Sequence, residues 1–229
     1  MGYILDGFKE AINLIIHLDK EIFQIVALSL IVSTSATVIG SIIAIPLGIN
    51  FGIRDFRGKR LFSRITYTMM SIPTVVVGLL VAIILSRKGP FGRLELLYTA
   101  KAMIIAQTLL VLPLSFGLSF GLATSRGKEI EKVGKALGAN RFQNVILIIR
   151  ELKVDILVNV ATSFSRAISE VGAVMIVGGN IKNHTRVITT TISMMNSMGD
   201  YPMAMALGII LLLISFGVHS IIYSYNREA

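Results

Sequence analysis

The sequence predicts an all-α polytopic membrane protein with five transmembrane helices and an amphipathic helix at its N-terminus. Of the 229 residues, 54% are hydrophobic and only 15% are charged, whereas about a quarter are charged in soluble domains. The mean hydropathy is +0.76. The apolar runs are continuous and do not alternate with polar residues, which disfavours a β-barrel. We expect one domain over 1–229, with an interfacial helix over 1–20 and a five-helix core over 24–225.

Windows without charged residues locate the transmembrane helices. Four of them exceed the roughly 20 residues that cross a hydrocarbon core about 30 Å thick, namely 22–53, 65–86, 102–125 and 201–226. A fifth candidate, 156–181, is interrupted by Arg166 and Glu170. Pro46, Pro73 and Pro113 lie inside predicted helices, where a missing backbone donor favours a kink.

The first residues predict a helix that lies in the membrane interface, because apolar and polar residues separate onto two faces. The apolar face carries Ile4, Leu5, Phe8, Ala11, Ile12, Ile15 and Ile16, and the polar face carries Asp6, Lys9, Glu10, Asn13 and His17. The alternative is an outward extension of the first transmembrane helix.

The first transmembrane helix is rich in small and hydroxyl residues, which allow close approach of a neighbouring helix. They are Ser29, Ser33, Thr34, Ser35, Ala36, Thr37, Gly40 and Ser41. Simple helix packing is the favoured interpretation, and a polar pathway is the alternative.

The distribution of Lys and Arg predicts an outside N-terminus and a cytoplasmic C-terminus. The connections after the first and third helices and the C-terminal tail together carry 13 of these residues, and the opposite side carries 8. The net charge of +9 therefore indicates topology and contact with anionic lipid, and no nucleic-acid partner is expected. Cys is absent, which excludes disulfides, thiol catalysis and Cys-ligated metal. The three His residues show no ligand spacing, so no metal site is expected.

The connection between the third and fourth helices predicts a helix, a Gly-centred turn and a second helix. Glu129 and Glu131 suit a helix N-terminus, and Gly138 can end that helix in a left-handed cap. A structured basic segment in a chain with so little aqueous surface predicts a docking site for a soluble partner. This coupling segment covers 129–142, and its candidate contact residues are Glu131, Lys132, Val133, Gly134, Lys135, Ala136, Leu137, Gly138, Ala139, Asn140, Arg141 and Phe142.

The order of residues in the coupling segment resembles the EAA loop of ABC importer permeases. That loop has Glu-Ala-Ala, three residues, Gly, nine residues and Ile-x-Leu-Pro, and Gly138 and Ile148 keep its spacing. Lys132-Val133-Gly134 stands at the Glu-Ala-Ala positions, and Arg150-Glu151 stands at Leu-Pro. The acidic contact to an ATPase then shifts to Glu131.

Three further segments resemble permeases for molybdate, tungstate and sulfate. Residues 71–79, which include Pro73, resemble their second core helix, and 86–92 resemble the outer loop that follows it. Residues 166–173, followed by Gly178-Gly179-Asn180, are similar to their fourth-helix signature, with Ser169 in place of the usual Gly. The segments at Pro73 and Gly89-Pro90 are most similar to the tungstate branch.

The resemblance implies the MetI-like fold of a type I ABC importer permease in the cell (inner) membrane. Two copies of the chain would form the path for an oxyanion, tungstate or molybdate before sulfate. Two ATPase subunits would dock at the coupling segment, and an extracytoplasmic binding protein would deliver the anion. The chain would be no enzyme and would hold no cofactor, with ATP and Mg on the ATPase, and it has no Gly-x-x-x-x-Gly-Lys-Ser/Thr loop. The candidate pathway residues are Pro73, Arg166, Glu170, Gly178, Gly179 and Asn180.

Arg166 and Glu170 are four residues apart, which predicts a shared helix face. An ionisable group inside a membrane costs roughly 2.5–3.5 kcal/mol on insertion scales and usually marks a pair or a pathway. One interpretation is an intrahelical or cross-dimer salt bridge. In the other, Arg166 attracts the oxyanion from a cavity, while Glu170 neutralises it or gates.

The polar segment from Asn180 to Ser193 also has two interpretations. Its hydroxyl and amide groups form an oxyanion site, or it is a solvated loop with a short helix that contacts the binding protein. Other functions remain alternatives, the nearest being a permease of the same architecture for sulfate or an amino acid. An autonomous channel or secondary carrier would require inverted repeats and more intramembrane charges. A membrane-embedded enzyme would require a catalytic cluster, which the sequence lacks.

Overall fold

The computed structural model describes residues 20–227, together with residues 6–9 and 12. Between residues 20 and 227 the chain forms ten α-helices, one short 3-10 turn and one π-helical turn, and this part contains no strand. The all-α prediction is therefore confirmed. The predicted interfacial helix over 1–20 lies mostly outside the described residues and stays a prediction.

The helices follow the order of the predicted spans. They are α1 (Lys20–Ile53), α2 (Lys59–Met70), α3 (Thr74–Leu85), α4 (Ala100–Leu122), α5 (Lys128–Ala136), α6 (Arg141–Glu151), α7 (Lys153–Ile168), α8 (Gly172–Gly178), α9 (Ile188–Met198) and α10 (Tyr201–Arg227). The π-helical turn Ala123–Gly127 joins α4 to α5.

Three helical runs are long and apolar enough to cross a membrane, namely Lys20–Ile53, Ala100–Ala136 and Tyr201–Ser220. The pairs α2 with α3 and α7 with α8 pass the same test, but they bend by 85° and 57° at their breaks. Five spans result when each bent pair counts as one. Two of the five predicted helices are therefore broken spans.

The break between α2 and α3 lies at Ser71–Pro73, where Pro73 begins α3 with φ −59°. Proline lacks the backbone donor that would continue α2, so the helix ends before it. Pro46 and Pro113, by contrast, lie inside the continuous helices α1 and α4. The expected kink is confirmed at Pro73, where the chain bends by 85°, and it stays a prediction at Pro46 and Pro113.

The most extensive helix–helix interface of the bundle lies between α1 and α4. A Cβ at Gly40 would lie 2.6 Å from Val111 Cγ1, and one at Gly48 would lie 2.7 Å from the Phe116 carbonyl oxygen. The hydroxyl of Thr37, which is buried, bonds the Ser33 carbonyl at 2.7 Å. The packing interpretation is therefore confirmed for the buried members of the set, whereas Thr34 is exposed.

The half-helices α3 and α8 pack side by side against α4. A Cβ at Gly78 would lie 2.6 Å from Ala173 Cα. Val81, Met103 and Val177 are buried in the cluster that joins the three helices. This packing places the start of α3 beside the start of α8.

Candidate coupling segment and permeation residues

The coupling segment folds as the predicted helix, turn and helix. Helix α5 ends at Ala136, and Gly138 follows with φ +81°. The Gly138 N–H donates to the Lys135 carbonyl at 3.0 Å, and the Ala139 N–H donates to the Gly134 carbonyl at 2.9 Å. This pair of bonds is the Schellman motif, which satisfies carbonyls left open at a helix end. The left-handed cap at Gly138 is confirmed.

The second helix of the segment, α6, begins with a reciprocal cap. Asn140 Oδ1 accepts from the Gln143 N–H at 2.9 Å, and Gln143 Oε1 accepts from the Asn140 N–H at 2.8 Å. Each bond satisfies a donor that the first helical turn would otherwise leave open. Four residues therefore connect the two helices, and both of the facing helix ends are capped by hydrogen bonds.

A close contact between Gly134 and Asn144 sets the distance between α5 and α6. Asn144 is buried, and its Nδ2 donates to the carbonyls of Ala139 and Asn140, each at 3.1 Å. A Cβ at Gly134 would overlap Asn144 Oδ1. The sequence reasoning did not single out Asn144, since a lone amide gives no periodic signal.

The outward face of the segment is apolar and basic. Val133 is 59% exposed, Leu137 82% and Phe142 73%, and Lys132 and Arg141 are also exposed. Glu131, predicted to make the acidic contact, instead pairs with Lys135 at 2.7 Å, and its side chain is only 17% exposed. Its role toward an ATPase stays a prediction, while the apolar side chains are the most accessible part of this surface.

Two ion pairs fasten the segment to the helical core. Lys128, at the start of α5, contacts Asp55 at 2.6 Å, and Arg126 contacts Asp155 at 2.7 Å. The hydrogen bond from Lys128 holds the pKa of the Asp55 carboxyl below its usual range. These exposed pairs place the start of α5 beside the end of α1 and the start of α7.

Arg166 and Glu170 do not share a helix face, so that prediction is wrong. Helix α7 ends at Ile168 and the chain bends by 57° before α8, so the i to i+4 geometry is lost. Arg166 is exposed, whereas Glu170 is 5% exposed. Among the described residues no ion pair joins them. Glu170 Oε1 instead accepts from the Ala173 N–H at 3.0 Å and caps α8.

The other candidate pathway residues fall into two groups. A Cβ at Gly172 would lie 2.8 Å from Val75 Cγ2 and 3.5 Å from Thr74 Oγ1, which places Glu170 close to the break at Pro73. Gly178, Gly179 and Asn180 lie at the opposite end of α8, where a Cβ at Gly178 would meet Met103 Sδ at 2.9 Å. The six residues therefore do not form one cluster in a single chain.

With this geometry, the chain was compared with known proteins. Residues 44–227 match the family described as binding-protein-dependent transport system inner membrane component. The chain belongs to this family. The predicted relationship to ABC permeases is thereby confirmed, and the chain is an inner membrane component of a transporter.

Three individual relatives cover most or all of the chain. The tungstate uptake system permease protein TupB of Peptoclostridium acidaminophilum is 60% identical over 228 residues, which cover 100% of both chains. A probable anion ABC transporter permease protein of Haloferax volcanii is 38% identical, over 86% of this chain and 88% of its own. The TupB protein of Campylobacter jejuni is 36% identical, over 99% and 95%.

Buried polar side chains brace the α7–α8 break of this permease. Gln107 Nε2 on α4 donates to the Ala167 carbonyl at 2.9 Å, and Thr189 Oγ1 on α9 donates to the Glu170 carbonyl at 2.8 Å. Inside a membrane, backbone groups freed by a helix break need such partners. The sequence reasoning missed Gln107, although it is the sole amide in the window 102–125.

The segment from Asn180 to Ser193 matches neither of its two interpretations along its whole length. Asn183 and His184 are exposed, as expected for a solvated loop. Four threonines are instead buried, namely Thr185, Thr189, Thr190 and Thr191. Their hydroxyls bond backbone carbonyls, for example Gly178 at 2.5 Å. These hydroxyls therefore stabilise the packing of the segment.

Proposed function

We propose that this chain is the permease subunit of an ATP-driven importer for an oxyanion, with tungstate as the first candidate and molybdate the second. The 60% identity with a tungstate uptake permease over the entire length of both chains carries this proposal. At that identity without terminal gaps, the helices around any permeation path correspond throughout. The second tungstate relative, at 36% identity, points to the same cargo.

The proposed assembly contains two copies of this chain, two ATPase subunits and an extracytoplasmic binding protein within a lipid bilayer. The ATPases dock at the coupling segment, and ATP and Mg are bound there and not by this chain. Exposed apolar side chains on a rigid, capped turn support this assignment, because Val133, Leu137 and Phe142 can anchor in a groove of a partner. The N-terminus lies outside and the C-terminus in the cytoplasm, as the Lys and Arg distribution favours.

Different roles follow for the two charged residues of the α7–α8 break. The Glu170 carboxylate accepts a hydrogen bond from the Ala173 backbone N–H, so we assign Glu170 the role of holding α8 in place. Arg166 is exposed in the single chain, so it is available to face the path between two copies and attract an anion. Replacement of Arg166 by Ala should lower uptake without lowering the unfolding temperature. Wild-type uptake by that variant would remove Arg166 from the path.

Competition between anions tests the cargo. The permease, reconstituted with its ATPase and binding protein, should take up tungstate with half-saturation at a lower concentration than molybdate, and sulfate should compete weakly. Uptake of sulfate that excess tungstate does not inhibit would contradict the proposal. Amino-acid uptake under the same conditions would instead support the alternative of another solute.

A further inference from the structure

A basic pocket opens at the end of the bundle that carries the coupling segment. Its volume is about 960 Å³, and its walls come from the start of α2 and the end of α4. The lining residues are Phe56, Gly58, Lys59, Arg60, Leu61, Ser63, Arg64, Phe120 and Thr124. The coupling segment, Arg166 and Glu170 are not among them, so the pocket is separate from the sites described above.

The charges around this basic pocket are all positive. Lys59, Arg60 and Arg64 line it, and no carboxylate does. Asp55, which does not line the pocket, bonds Lys128 at 2.6 and 2.8 Å and forms a longer ion pair of 3.7 Å with Lys59. Arg60 and Arg64 form no ion pair within the described residues and are exposed. The pocket therefore holds two guanidinium groups whose charge nothing in the described chain balances.

The pocket has a rigid wall. Phe62 on α2 packs against Phe116 and Phe120 on α4, with ring centroids 6.1 and 5.8 Å apart. Lys59 Nζ donates to the Gly52 carbonyl at 2.5 Å and lies 5.7 Å from the Phe120 ring centroid. These contacts fix the start of α2 across α4, so Arg60 and Arg64, one helical turn apart, project from a fixed backbone.

The pocket also lies where the apolar part of the chain ends. The charge-free windows 22–53 and 102–125 stop beside it, and the window 65–86 begins one residue after Arg64. Leu61 is 62% exposed and Ile65 51%, so apolar surface continues directly from the guanidinium groups. A ligand bound in this pocket would therefore contact positive charge and lie at the boundary of the hydrocarbon core.

We infer that this basic pocket binds a tetrahedral oxyanion. Guanidinium groups bind such anions through paired N–H donors, and their excess charge needs a counter-charge. Two sources offer this chemistry, the phosphodiester of an anionic phospholipid in the adjacent leaflet and the free transported oxyanion. A pocket at the opposite end of the bundle shows the contrast, because Glu21 there already bonds Lys182 at 2.7 Å and Arg186 at 3.5 Å.

The test compares two double variants of the full chain that lose the same charge. Arg60→Gln with Arg64→Gln removes the guanidinium groups of the pocket. Arg57→Gln with Arg150→Gln removes two exposed arginines from the same end that do not line it. Native mass spectrometry from nanodiscs containing phosphatidylglycerol and phosphatidylcholine counts retained lipid. Isothermal titration with sodium tungstate or sodium sulfate, without added lipid, measures the free anions. Circular dichroism establishes that both variants are folded.

The wild type binds one of these anions, and the pocket variant should bind the same anion roughly ten- to thirtyfold more weakly. This expectation follows from about 1 kcal/mol per basic residue at a membrane surface. The control variant should bind as the wild type does. Selective retention of phosphatidylglycerol assigns the site to lipid, and tungstate binding without lipid assigns it to the cargo. Equal losses in both variants, or no preference for an anion in either arm, would overturn the inference. The lipid measurement does not depend on the proposed cargo, so it can be interpreted even if the permease does not transport tungstate.

Discussion

Gly138 offers a perturbation of the coupling segment whose cost can be worked out from the backbone alone. Its φ of +81° lies in the left-handed region, and a Cβ added there would have no heavy atom within 4 Å. A side chain therefore meets open space, and the cost of substitution arises from φ only. For an ordinary L-residue that cost is about 1–2 kcal/mol, and a β-branched residue is especially disfavoured there. Asn tolerates this conformation.

If the exposed turn of the free variant relaxes to another conformation, and the ATPase binds only the conformation seen here, the strain must be restored on binding and lowers the affinity by the same free energy. Gly138→Val should weaken binding of the detergent-solubilised permease to its ATPase by about 5- to 30-fold, since 1.4 kcal/mol corresponds to tenfold. Gly138→Asn should bind within about threefold of the wild type, because its left-handed penalty is smaller. Microscale thermophoresis with labelled ATPase measures both affinities. The unfolding temperature and membrane insertion of each variant serve as controls.

The reasoning fails if Gly138→Val retains wild-type affinity, because the left-handed turn would then not be part of the docking surface. It also fails if Gly138→Asn is as weak as Gly138→Val while both remain folded. That result would indicate a partner that contacts the glycine face itself, where any side chain is excluded.

Three further predictions concern contacts that hold the coupling segment and the α7–α8 break. Gly134→Ala should lower the stability by about 1–3 kcal/mol through overpacking against Asn144, seen as a lower unfolding temperature, and the added change Asn144→Ala should recover part of it. Gln107→Leu should cost about 0.5–1.5 kcal/mol by removing the Nε2 bond to the Ala167 carbonyl, which keeps the Glu170 N–H as a donor at 3.2 Å, whereas unchanged denaturant stability would refute the bracing role. Asp55→Asn should destabilise the chain at neutral pH and not in acid. The bond from Lys128 lowers the pKa of the folded Asp55 carboxyl from its ordinary value, so this bond stabilises the fold above the ordinary carboxyl pKa and is lost as the pH falls through the lowered one. Persistence of the difference at pH 2 in thermal scans would contradict it.

Features that depend on neighbouring residues in sequence were predictable. The cap at Gly138 needs only a helix, a glycine and the residues beside it, so its position followed from the sequence. The missing backbone donor of Pro73 marks a place where a helix can end, although Pro46 and Pro113 share this property and lie in continuous helices. The packing of the small residues in α1 follows from their spacing along one helix.

Features that depend on tertiary contacts could not be predicted from the sequence. The spacing of Arg166 and Glu170 predicts one face of a helix, but the helix ends between them. That end is stable because Gln107, 60 positions away, and Thr189 satisfy the freed carbonyls. The pairing of Glu131 with Lys135 shows the same limit in a smaller form. Its spacing permits an ion pair, but it does not predict that the Glu131 side chain is only 17% exposed.

The most direct test of the account is ATP-dependent uptake of tungstate by proteoliposomes that contain the permease and its ATPase, with the binding protein supplied on the outside. The account predicts accumulation above the external concentration. This accumulation requires enclosed ATP and the binding protein, and it is reduced in Gly138→Val. Uptake that proceeds to equilibrium without ATP or the binding protein would contradict it, because the chain would then act as an autonomous channel or carrier.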